Sequence, residues 1–97
     1  MDTLLLGTLP TDLQQLLRGG AALNQVAGQA ARFLEKLPNA EEQAALGKAI
    51  LRALIDRADA AQRTMVERAL EVMDKFPHFP RPRAAVVRQA LKSLAQN

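Results

Sequence analysis

The chain has no cysteine, no tryptophan and no tyrosine, and only one histidine, His78, and one serine, Ser93. Without cysteine there are no disulfides, no thiolate nucleophile and no thiolate metal ligands. A single histidine cannot furnish the set of about four ligands that a zinc site needs. Nucleophilic catalysis requires a nucleophile beside a base, yet Ser93 stands in a predicted helix and His78 in a proline-rich loop. Glu41 and Glu42 are adjacent, but they fall in the first turn of a predicted helix, where carboxylates are stabilised by the helix dipole. No glycine-rich phosphate loop is present, and Gly19-Gly20 reads as a turn between helices. These absences predict a non-catalytic protein with no catalytic residue, no cofactor and no metal.

Long apolar runs are also missing. Leu4-Leu5-Leu6 is the longest near the start, too short for a signal peptide or a membrane span, and no basic residue precedes it. The expectation is a cytoplasmic protein that does not enter a membrane, in keeping with the absence of cysteine. Strand-forming aromatic residues are scarce, and Ala, Leu, Gln and Arg dominate, which favours helix.

Charge is distributed unevenly. Residues 1–74 hold eight basic and ten acidic groups, a net of −2, whereas residues 75–97 hold five basic groups and no acid. The five are Lys75, Arg81, Arg83, Arg88 and Lys92. They follow or flank a proline-rich hinge, 77–82, preceded by Phe76 and containing Phe79. A field of one sign at one end predicts an acidic partner there.

Ninety-seven residues suit one domain, 1–97. The fold class predicted is all-α, a compact bundle of four main helices preceded by a short helix. Residues 1–9 lack a helical period and read as an extended or frayed lead. The short helix starts at Pro10 or Thr11, carries Leu13, Leu16 and Leu17 on one face, and stops at Gly19-Gly20, where glycine is expected to turn left-handed. A helix over about 22–37 places Leu23, Val26, Ala30, Phe33 and Leu37 on a seam, flanked by the small residues Ala27, Gly28 and Ala31. Asn39 with Glu42, and Asp59 with Gln62, have the spacing of capping boxes. They open helices reaching to about Arg57 and about Phe76. The first of these carries Leu46, Ile50, Leu51, Leu54 and Ile55 and should be the most buried. The last helix is expected to begin after Pro82, with a narrow stripe of Val87, Leu91 and Leu94 and with Arg88 and Lys92 projecting together on the other side.

The function predicted is that of a helical protein-interaction module, a small adaptor, regulator or inhibitor. Its partner would be a protein with an acidic surface. Phe79, Arg81, Arg83, Arg88 and Lys92 are the candidate partner-binding residues. A hydrophobic content of 48% is generous for a monomer of this size. That makes a homodimer plausible, with Leu13, Leu16, Leu17, Leu23 and Ala27 as its face. Phe76 is expected in the core, and Phe79 is open to either role. The rival reading is sequence-neutral nucleic-acid binding by the basic C-terminal helix, through about four phosphate contacts. Residues 53–70 have the outline of a helix-turn-helix, but the turn glycine is absent and Asp56, Asp59, Glu67 and Glu71 would oppose phosphate. They read instead as two capped helices of a bundle.

Overall fold

Main-chain hydrogen bonding closes six α-helices along residues 2–96, the part of the chain described by the computed structural model. They are α1 (Asp2–Leu6), α2 (Thr11–Arg18), α3 (Leu23–Glu35), α4 (Ala40–Ile55), α5 (Ala60–Asp74) and α6 (Pro80–Ala95). Among the described residues there is no strand, so the all-α class holds. The count exceeds the expected one because the supposed extended lead contains α1. Too short to show a period, α1 is held from outside: Leu5 and Leu6 pack against the core, and the helix lies on α4. Thr8 closes its end, its hydroxyl donating to the Leu5 carbonyl at 2.6 Å. The Gln14 amide donates to the Leu9 carbonyl at 2.7 Å and fastens the turn to α2.

Three helix starts follow from local chemistry. The Asn39 side chain accepts from the Glu41 and Glu42 amides at 2.8 and 3.2 Å and caps α4. Asp59 and Gln62 form a reciprocal capping box on α5, with bonds of 2.8 and 2.9 Å. Pro80 occupies the first turn of α6, where a missing N–H costs nothing. The last helix thus begins before Pro82, and the hinge is shorter than expected. Gly19 ends α2 in an extended conformation, not a left-handed one, with φ −87° and ψ −169°.

The core joins α2 to α6 in one cluster whose fully buried members include Leu34, Leu51, Leu54, Met73, Leu91 and Leu94. α4 presents the wide apolar arc expected of it. On α3 the buried face is rotated from the predicted seam: Val26, Ala27, Ala30, Ala31 and Leu34 are buried, while Leu23, Phe33 and Leu37 are half-buried. The small residues lie within the contact and not beside it, because α6 is the neighbour they admit. An added side-chain carbon on Gly28 would lie 3.7 Å from the Ala95 methyl.

α6 is the central helix, packed on α3, α4 and α5. It approaches α4 closely at Gly47. A methyl on Gly47 would overlap the Cγ1 methyl of Val87 and stand 2.9 Å from its Cβ. Val87 is fully buried and has nowhere to move. At the other end of α4, Arg57 closes α2. Its guanidinium donates to the Leu16 and Leu17 carbonyls at 3.1 and 3.3 Å and to the Ala21 carbonyl. A cation there satisfies last-turn acceptors and opposes the helix dipole.

Two expectations follow. Gly47→Ala gains about 1 kcal/mol of helix propensity, but overpacking costs about 1–3 kcal/mol, and this contact belongs at the severe end. Urea unfolding should show a net loss, relieved in part by adding Val87→Ala. Stability equal to wild type would place the two helices further apart. Arg57→Ala should cost about 1–3 kcal/mol, and hydrogen exchange should quicken first in α2. Unchanged exchange in α2 would mean that the clamp is idle.

Candidate functional site

Two surfaces compete for a functional role. One is the basic end inferred from charge, and the other is an apolar groove that depends on how α5 meets α6.

The basic end is dispersed by the fold. Arg88 is half-buried, and its Nη1 donates to the Oε1 of Gln43 at 2.5 Å. Gln43 is buried on α4, and its Nε2 donates to the Leu37 carbonyl at 2.6 Å. Arg88 therefore starts a chain that links α6 through α4 to the end of α3. Lys92 is exposed, and its Nζ lies 3.0 Å from Glu35 Oε1 on α3. These two residues do not form a shared free face opposite the apolar stripe, because α6 is surrounded on three sides. Arg83 is half-buried, with its Nε enclosed and unpartnered. Arg81 remains exposed and unpaired among the described residues. Phe79 is 59% exposed at the N-cap of α6. Phe76, expected in the core, is 37% exposed, since α5 ends at Asp74 before reaching it.

The face suggested for a dimer is largely used within the chain. Leu13 and Ala27 are buried in the core, and Leu16, Leu17 and Leu23 are half-buried against it. α2 turns its leucines toward the bundle, and α3 buries its alanines in the core. That set of residues does not make an open seam.

The groove is the surface that the sequence reading missed. α5 buries only Val66, Ala69 and Met73 deeply, although its apolar residues cover more of its circumference. On the side toward α6, Met65 and Val72 remain half-buried and Ala61 exposed. α6 contributes Ala85, Val86 and Ala90 to the opposite wall. Together they shape a groove of about 680 Å³ between the two helices. Ala69 and Ala90, both nearly buried, lie low in it, so the floor is made of methyl groups. Arg68 is the one charged side chain lining it; Thr64, Gln89 and Ser93 are polar and neutral. The signal in the sequence was the second stripe on α5, with Ala61, Met65, Ala69 and Val72 at steps of four, four and three. Whether a second stripe is covered by another helix depends on tertiary packing.

Among the described residues no three His, Cys, Asp or Glu side chains gather as metal ligands, and no helix is long and apolar enough to cross a membrane. Reversing charge should separate the two basic residues of α6. Arg88→Glu sets a carboxylate against the Gln43 carbonyl oxygen and should cost about 1–3 kcal/mol. Lys92→Glu breaks an exposed pair and should cost at most about 1 kcal/mol. Equal losses in urea unfolding would remove Arg88 from the interior network. No protein-family model matches the chain, and the comparisons with curated proteins and with solved structures give no match either.

Proposed function

We propose that the chain is a non-catalytic protein-interaction module, an adaptor, regulator or inhibitor, that receives a helix of a partner protein in the α5–α6 groove. One observation carries this reading: a continuous apolar trough between two helices that the fold leaves uncovered. Apolar surface gathered in one concave place is a hallmark of binding sites. A helix suits it because both walls are helices, and grooves between helices accept the side-chain ridges of a third. The exposed Phe76 and Phe79 stand in the loop that joins α5 to α6. The absence of cysteine suits action in a reducing compartment such as the cytoplasm.

Phosphate binding by α6 is the weaker reading. It would use Arg81, Arg83, Arg88 and Lys92, but Arg88 is bonded to Gln43 and Lys92 is paired with Glu35. Recruiting both for phosphate would undo contacts within the fold.

A photo-cross-linking residue placed at Gln89, in the groove, should capture a discrete partner in the native host, and Ala85→Trp should abolish the adduct by filling the trough. The same residue at Glu41, exposed on α4, should give no such adduct. Capture that is equal at both positions, or indifferent to Ala85→Trp, would remove the groove as the docking surface.

A further inference from the structure

The groove has a chemical preference as well as a shape, and this inference rests on the docking role proposed above. We infer that its occupant is an acidic amphipathic helix of a partner protein, with bulky apolar residues facing inward and a carboxylate on the flank that meets Arg68. Arg68 is exposed, lines the trough, and has neither an ion pair nor a hydrogen bond among the described residues. No acidic side chain lines the groove. Glu67 and Glu71 accompany Arg68 in a separate, smaller depression lined by α5 alone. The α6 wall cannot supply an acid, since none occurs from Lys75 to Asn97.

Helical spacing sets two further cations toward the loop. Arg81 precedes Ala85 by four residues on α6 and shares its face. Lys75 follows Arg68 by seven residues, two turns along α5 toward the same loop, and is exposed. One guanidinium thus stands within the trough, and two further cations stand toward its loop end. An occupant with basic flanks would be repelled, and a neutral one would leave Arg68 partly dehydrated without a partner. A second copy of this chain would bring Arg68 to the same trough and gains nothing from this field.

Size follows from the walls. Ala61 to Val72 covers three turns of α5, so about 11–14 residues of helix fill the length. Ala69 and Ala90 in the floor leave room for Leu, Phe or Met from the occupant, where large floor residues would accept only small ones.

A displayed library of amphipathic helices of about 11–14 residues is the probe. Inward positions are drawn from Ala, Leu, Met and Phe, and flanking positions equally from Asp, Glu, Gln, Lys and Arg. Sorted against the wild-type chain, it should return helices with bulky inward residues and with acids dominating the flank. Arg68→Glu should weaken the best of them about tenfold and turn the selected flank basic, a preference that fades in high salt. Ala85→Trp, with Gln89→Trp as a second blocking variant, should remove binding. Circular dichroism confirms that each variant is folded. Helices that the blocking variants exclude but that show no acidic bias would overturn the charge preference and leave the docking role standing. No selected helix, or binding indifferent to both tryptophans, would overturn the docking role as well. A dimer of the free chain that Ala85→Trp dissolves would assign the groove to a second copy and overturn the proposal.

Discussion

The close crossing of α4 and α6 at Gly47 and Val87 is the constraint from which most of the arrangement follows. Glycine on α4 lets the branched Val87 side chain sink to the helix backbone. Close packing gathers dispersion contacts that any wider crossing would forfeit. With α6 drawn this far inward, α3 packs against it as well, with Gly28 set against the Ala95 methyl and the small residues Ala27, Ala30 and Ala31 buried on α3. A helix that charge alone would place at the periphery thereby becomes the centre of the bundle.

That position changes the meaning of its charges. A guanidinium beside two packed helices must find acceptors, because a buried donor without one is costly. Arg88 finds Gln43, and Gln43 uses its other end on the Leu37 carbonyl, so the three helices share one polar chain. Lys92 lies further out, and its pair with Glu35 contributes little beyond local order. The positive balance of residues 75–97 stands, but the fold uses half of the candidate cations on α6 internally and leaves Arg81 free near the loop.

The same geometry leaves α5 incompletely covered. α5 buries Val66, Ala69 and Met73, while Met65 and Val72 stay half open. Keeping apolar side chains at an open trough forgoes roughly 25 cal/mol for each Å² that a neighbour would cover. Both walls are formed helices packed on the core, α5 opened by its capping box and α6 by a first-turn proline, so the trough is built before any occupant arrives. Preorganisation of this kind favours binding, because little further ordering has to be supplied on association.

The helices that carry their own terminal signals were legible in the residues. Asn39 and the Asp59–Gln62 box open α4 and α5 where their spacing says, and the wide arc of α4 is buried as its period implies. Local signals of this sort act within one turn, so the order of residues determines them. α1 could not be read, because five residues are too few to show a period and its packing on α4 is a tertiary contact. The rotation of α3 and the fate of Arg88 were also out of reach, since both depend on which helix lies opposite. By itself the sequence determined an all-helical chain, free of thiol chemistry, with its positive charge at one end. Tertiary structure alone decided which charges remain free and which apolar stripe stays open, because burial is a property of pairs of surfaces and one helix cannot specify its neighbour.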